Sequence, residues 1–325
     1  MITTISDLST KLDVLRNVGV QRGELTGFYN LDSLYSIKQG SFTIVLGAPA
    51  HGKSEFCFEL LLNQTEKYGK KHLIYSPETG SSDEIAMELI HKYLGKTAYK
   101  TNKFFCTDKD FEAAKNYIDA HFFILSDENQ SFTIHEIFEM VLLFEKQKGI
   151  KIDCLMTEPY NELRHEIKDG RQDLYIEEVL TDIRRFTKKH NKHLFLTMHP
   201  SHQHQVKDNT TGVMYYPMPK AREAAGGQAS LRKAMSWINI WRPFDGMIDM
   251  VTNMPYDKNT LIVSIEKSKP KGIGEKGTCL MYFDWQKNRY YEKLNNLPSF
   301  AFEHAKNTAT YHQLPNLNLT GEAPF

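Results

Sequence analysis

The chain has 325 residues, with 40 lysines and arginines against 40 aspartates and glutamates, 41% hydrophobic residues and 4 cysteines. Such a length can bury a full core without staples, as two modest domains or as one large α/β domain with appendages. The composition excludes wholesale disorder, and the balanced charge excludes a uniformly basic nucleic-acid coat but not a local basic channel. Cys57, Cys106, Cys154 and Cys279 lie too far apart for a zinc clip or redox pair, which fits buried thiols in a reducing cytoplasm. The start, MITTISDLSTKLDVL, lacks a signal-peptide pattern, and no stretch approaches the ~20 apolar residues of a membrane span.

Ile5, Leu8, Leu12 and Leu15, spaced by three and four, predict a short amphipathic helix over 5–18, with Ser6 and Asp7 at its start. A helix of ~14 residues is marginal alone, so residues 1–25 read as a helix and linker that packs on its own core or on a neighbouring subunit. Strands follow at Ser41–Leu46, His72–Ser76, His121–Leu125, Ile152–Thr157, His193–Met198, Trp237–Trp241 and Leu261–Glu266. Helical patterns alternate with them at Ser54–Lys67, Ser82–Leu94, Thr133–Lys148 and Asp173–His190. Near-continuous apolar strands alternating with helices predict a largely parallel α/β sheet with helices on both faces. A hairpin, Thr278–Phe283 with Arg289–Glu292, adds an antiparallel edge. Residues 26–295 thus read as one domain, and 296–325, with Pro298, Pro315 and Pro324, as a polar tail.

The strongest motif is Gly47-Ala48-Pro49-Ala50-His51-Gly52-Lys53-Ser54, a G-x-x-x-x-G-K-[ST] phosphate loop between a strand and a helix. Its glycines allow a backbone curl that turns N–H groups toward phosphate, and the helix adds its positive end. Lys53 can reach the β- and γ-phosphates of a nucleoside triphosphate, and the Ser54 hydroxyl can ligate Mg²⁺. Hydrolysis also needs a carboxylate for water, an acid for the metal's water shell and a γ-phosphate sensor, all at strand carboxyl ends. Glu78 follows HLIYS, Glu158 ends KIDCLMTE, and His199 closes HLFLTMH. Asp153, at the start of its strand, is the poorer metal-side acid. A metal cluster of His199, His202 and His204 has no cysteine or acid nearby to complete it.

With these residues in order, the chain resembles the DnaB-like hexameric replicative helicases, in the style of phage primase–helicases and Twinkle, from about Thr26 to Tyr291. The resemblance rests on TGFYNLDSLYSIKQGSFTIVLGAPAHGKS, YSPETGSSDEIAMELI, EPYNEL, TMHPSH, GGQASLRKAMSWINIWRP and SIEKSKPKGIGEKG. It implies a RecA-like core that uses ATP and Mg²⁺, with Glu78 as catalytic carboxylate, His199 as sensor and Arg242 near the nucleotide. Two positions depart from the family: Glu158 stands where the acid that holds Mg²⁺ through water is usually aspartate. Lys267 and Lys269 replace a Lys-x-Arg pair that reaches into the neighbour's nucleotide, losing the planar two-pronged contact of arginine.

Single-stranded DNA is the implied track. Two basic segments suit it: Asn161–Asp173, with Arg164, Lys168 and Arg171, and His199–Met235. The second carries Lys207, Lys220, Arg222, Arg232 and Lys233 against Asp208 and Glu223, and Gly226-Gly227 suggests a mobile loop. A homo-hexamer, a separate primase or single-strand-binding protein, and a bacterial or phage-infected host cytoplasm complete the expectation. The alternative is a RecA-like recombinase or loading factor that binds single strands without unwinding; a regulatory NTPase that has lost translocation is a third reading.

Overall fold

A computed structural model describes residues 2–102, 105–128, 130–167, 170–201 and 203–302. Where the sequence predicts one helix over 5–18, a 3₁₀ turn at Ser6–Leu8 precedes α1 (Ser9–Val18). The α1 helix buries none of its residues in this chain, and Leu12, Val14, Leu15 and Val18 are exposed.

A short helix that the sequence pattern did not reveal, α2 (Tyr29–Leu34), leads into the sheet and is pinned by two buried carboxylates. Asp32 accepts from the Thr26 N–H at 2.5 Å, the Thr26 hydroxyl at 2.8 Å and the Gly27 N–H at 3.2 Å. Glu292 accepts from the Asn30 and Leu31 N–H groups at 2.9 and 3.2 Å. Asp32→Ala strands these buried donors and is expected to lower unfolding free energy by about 2–3 kcal/mol, read from urea denaturation. A midpoint unchanged from wild type would refute this assignment.

The sheet then alternates with helices: β1 (Ser41–Leu46), α3 (Lys53–Tyr68), β2 (His72–Tyr75), α4 (Ser82–Leu94), α5 (Asp108–His121), β3 (Phe122–Ile124), α6 (Ile134–Lys148), β4 (Cys154–Thr157), α7 (Gln172–His190) and β5 (His193–Met198). A two-stranded ribbon, β6 (Val206–Lys207) with β7 (Met214–Tyr215), and α8 (Gly227–Lys233) precede β8 (Ser236–Trp241). The chain closes with β9 (Thr260–Lys267), β10 (Gly277–Asp284), β11 (Arg289–Leu294) and β12 (Leu297–Phe300). The order across the main sheet is β12-β11-β10-β9-β8-β1-β5-β4-β2-β3. Strands β3 to β8 of that row are parallel, and β9 runs antiparallel to β8, as do the later pairs.

The antiparallel part is therefore wider than the single edge hairpin that the sequence suggests. It includes β9 and also β12, cut from the residues read as polar tail; residues 303–325 lie outside the described residues. The long run after His199 is also less open than expected, since it folds into β6, β7 and α8.

Strands β1, β5 and β8 are buried along their whole length, which is why their sequences read as continuous apolar runs. One face is covered by α3, α4 and α5, through Phe56, Leu60, Leu89 and Ile118. The other is covered by α6 and α7, through Ile137, Leu180 and Ile183, with Phe138 and Phe186 stacked at 3.8 Å. Capping boxes, Ser81 with Glu84 and Thr133 with Glu136, start α4 and α6. Parallel strands that end together leave their carboxyl ends as one rim, where β1, β5, β4 and β2 deliver their loops.

Candidate active site

The phosphate loop follows β1 on this rim and opens α3. Gly52, at φ +85°, is in the left-handed region, and a Cβ there would sit 2.6 Å from the Tyr290 hydroxyl. A Cβ on Gly47 would meet Ile240 Cγ1 at 2.8 Å, so both glycines are required by close approach as well as by the curl. Ala50 also holds a positive φ of 59°, a strained conformation for a residue with a side chain.

Around the loop the candidate residues form two hydrogen-bonded chains. In the first, buried Lys53 donates from Nζ to His199 Nδ1 at 3.1 Å and to the Ala48 carbonyl at 3.4 Å. An ammonium can only donate, so His199 carries its proton on Nε2 and passes it toward Glu78 Oε2 at 2.9 Å. Burial lowers the Lys53 pKa, opposed by the charges of Glu158 and Glu78. In the second chain, Ser54 Oγ donates to Glu158 Oε1 at 2.6 Å and Ser76 Oγ to Glu158 Oε2 at 3.0 Å. Glu158 is 1% exposed, and burial pushes it up to about 7 against those two hydroxyls and the Lys53 charge.

That donor set fits Mg²⁺. Glu158 and Ser54 offer hard oxygens side by side, and both hydrogen bonds the carboxylate receives come from neutral hydroxyls. Thr157 and Thr197, at the same strand ends, bury hydroxyls with no partner among the described residues, as a hydrated ion's surroundings require. A bound Mg²⁺ would neutralise developing phosphate charge; Ser54 and Glu158 are the residues that would hold it.

The folded-state pKa of Glu158 lies above the ordinary carboxylate value of 4.5, so the folded protein keeps a proton the unfolded chain releases. Stability from this group is present below the unfolded value and is lost as pH rises from about 5 to about 7. Glu158→Gln is expected to flatten that slope and raise the melting temperature at pH 8 by roughly 3 °C in nucleotide-free protein. An unchanged slope would show that the carboxylate is not held in this burial.

Arg242 closes the loop from β8. Its backbone N–H donates to His51 Nδ1 at 3.1 Å and its Nη2 to the Tyr290 hydroxyl at 3.2 Å, with the guanidinium 5.3 Å from the Phe283 ring centre. Burial, with Lys53 and Arg242 nearby, pushes His51 down to about 4, so its neutral ring works as an acceptor. Among the described residues Arg242 Nε is buried without a partner. Sequence reasoning missed Ser76, Phe283 and Tyr290. Ser76 had a signal, being the last residue of HLIYS beside Glu78; the two aromatics are brought in by the antiparallel strands and had none.

Lys267 and Lys269 are not brought to this chain's own phosphate loop. Lys267 faces Trp237 at the start of β8, the opposite end of the sheet, and its Nζ donates to the Leu231 and Arg232 carbonyls at 2.5 and 2.8 Å. It thus caps the carboxyl end of α8. Burial and Lys269 push it down to about 8. A cavity of about 600 Å³ beside it is lined by Arg232, Ser268, Lys269 and Lys276 among others.

The basic segments are divided. Arg164 is taken up by Glu136 at 2.5 Å and the Ser131 carbonyl at 3.1 Å, and Arg171 by Asp173 at 2.9 Å. Lys207, Lys220 and Arg222 are exposed, whereas Arg232 and Lys233 lean on Glu177 at 3.8 Å near the opposite end. Residues 199–235 therefore present two basic surfaces, not one. Lys168 and His202 lie outside the described residues.

No family model matches the chain. It is 27% identical over 280 residues to the Twinkle homolog protein, chloroplastic/mitochondrial, of Arabidopsis thaliana, covering 83% of this chain and 36% of that protein. It is 28% identical over 152 residues to a probable replicative DNA helicase of Trieres chinensis, covering 45% of this chain and 33% of that protein. The chain spans about a third of the length of these curated relatives. Among solved structures, the ATPase domain of G40P superposes with a TM-score of 0.69 at 16% identity, over 90% of this chain and 99% of that one. This is the fold of a DnaB-like helicase ATPase domain. A DnaB-like replicative helicase described with its interactions with primase gives 0.65 at 16% identity, over 88% of this chain and 69% of that one. In the DnaB-like core seen here, the phosphate loop, Glu78, Glu158 and His199 share one rim. Among the described residues no helix is long and apolar enough to cross a membrane.

Proposed function

We propose that the chain is the motor domain of an ATP-dependent replicative DNA helicase that assembles as a ring and translocates on single-stranded DNA. The observation that supports it is the convergence of Lys53, Ser54, Glu78, Glu158 and His199 into two connected hydrogen-bond chains around the phosphate loop. Lys53 and the loop backbone hold the phosphates, Glu78 orients the attacking water, and His199 links it to the phosphate side. Arg242 offers the nucleotide its Nε, which has no partner among the described residues. Lys269, at the far end of the sheet, would reach toward the next subunit of such a ring, with Lys267 holding α8 beside it. Exposed Lys207, Lys220 and Arg222 are the residues nearest to a strand-binding role, in a bacterial or phage-infected host cytoplasm, with a separate primase or single-strand-binding protein as partner.

The test is NTP hydrolysis with and without single-stranded DNA, and unwinding of a forked duplex, by an assembly first seen as rings in electron micrographs. Stimulation and unwinding are expected. Rings that show neither, or open filaments coating DNA, would refute the helicase reading, and filaments would favour the recombinase alternative.

A further inference from the structure

At the end of the sheet opposite the phosphate loop, three helix-to-strand connections each carry three lysines. Segments 65–72, 145–153 and 187–193, which lead into β2, β4 and β5, hold nine lysines, no arginine and three carboxylates. The registers His72↔Cys154 and Cys154↔His193 set these strand starts side by side. Backbone bonds from Asp153 to Lys71 and from His193 to Asp153, at 2.8 and 2.9 Å, join the three connections into one surface.

Some of this charge is neutralised locally. Lys70 meets Glu24 at 2.6 Å, Lys151 meets Asp153 at 3.5 Å and Lys192 meets Glu145 at 2.5 Å. Lys67, Lys146, Lys148, Lys188 and Lys189 are exposed and form no ion pair among the described residues. Helix dipoles do not account for the surplus. The carboxyl ends of α3, α6 and α7 bring roughly half a negative charge each, ~1.5 together, whereas nine lysines against the three carboxylates of these segments and Glu24 leave an excess of five. At the far end of the same strands, segments 76–84 and 158–166 hold six carboxylates against Arg164 alone.

We propose that this lysine end is a docking surface for the phosphate backbone of duplex DNA, separate from the loops on the phosphate-loop rim. The chemistry favours a duplex over other polyanions. Lysines are flexible point charges suited to contacting a backbone without reading sequence, and a duplex offers a charge about every 1.7 Å of its axis. Binding a single strand would call for rings to stack on bases. Tyr68, the tyrosine of these segments, has its hydroxyl on the Leu25 N–H at 3.0 Å and Lys67 over its ring at 5.6 Å. A protein partner would need an apolar anchor, and Ile150 and Ile152, the aliphatic side chains here, are half-buried and buried.

The experiment titrates a labelled blunt duplex against salt without nucleotide, using wild type and Lys148→Gln/Lys151→Gln/Lys188→Gln/Lys189→Gln. A control carries Lys96→Gln/Lys109→Gln/Lys115→Gln/Lys258→Gln. The quadruple variant is expected to bind at least about tenfold more weakly in 50 mM salt, with a log–log salt slope shallower by roughly 3. The control should stay within about twofold of wild type, and the thermal transitions of all three should coincide. Unchanged affinity and slope, an equal loss in the control, or no duplex binding by wild type would each overturn the proposal. So would a variant that loses its assembly size, or its binding to an acidic peptide, while keeping the duplex. The measurement uses no hydrolysis and no single strand, so failure of the helicase reading would not be mistaken for failure of this one.

Discussion

Lys53→Ala is expected to lower NTP hydrolysis by roughly three orders of magnitude while leaving the fold in place. Lys53 is the one lysine of the phosphate loop, 5% exposed, and among the described residues its ammonium is held by two acceptors, His199 Nδ1 and the Ala48 carbonyl. Neither is charged. Burial already lowers its pKa, so the ammonium sits there at a cost in stability that the substrate's phosphates would offset. Removing it takes away the charge nearest the transferring group and releases His199 from its fixed tautomer. Phosphate release under saturating NTP and Mg²⁺ measures the effect, with thermal melting run on the same preparations. Activity within tenfold of wild type would show that the loop does not cradle phosphate; a lost transition would mean the side chain acts in folding instead.

Lys92→Met should have the largest effect on stability. Lys92 is fully buried, with Nζ 2.9 Å from Glu55, 3.6 Å from Glu59 and 2.7 Å from the Asn288 carbonyl. Glu59, equally buried, also holds Arg289 Nε at 2.7 Å and the Tyr290 N–H at 3.2 Å. Methionine keeps the volume and deletes the charge shared by the two carboxylates, which leaves buried Glu59 with Arg289 and half-buried Glu55 with the more distant Arg242. Breaking a buried pair in this way costs about 3–5 kcal/mol, a fall in melting temperature of roughly 5–8 °C for a chain of this size. The cluster also backs Tyr290 and, through it, Arg242 and Gly52, so nucleotide affinity should weaken with it. A fall below about 1 °C would show that desolvation cancels the pairing.

Much of the parallel half was legible because burial on both faces forces an apolar run. Ser41–Leu46 and His193–Met198 match their predicted bounds, and the phosphate loop, Glu78, Glu158 and His199 meet on the rim where strand ends place them. Legibility failed where contact order is high or the signal short. α2 is six residues held by Asp32 and by Glu292, the latter about 260 positions away, and no local pattern encodes such a partner. β9 carries a strand pattern, but its direction depends on a long connection after β8. The basic side chains of 161–235 could be counted but not placed: Arg164 caps α6 through Glu136, and Arg232 sits near Lys267. Charge in a sequence says nothing about which carboxylate will answer it.

The phosphate loop ends β1, and Lys267 ends β9 at the opposite end of the sheet, with β8 hydrogen-bonded between them. A strand is already extended near ~3.3 Å per residue and has almost no slack along its axis. Tension applied at one end therefore reaches the other as a displacement of the whole plate, with little lost to stretching. The ten-stranded sheet is in this sense a stiff plank. Compliance is left to the connections at its ends, chiefly the turns around Gly226 and the segment between Trp241 and Thr260.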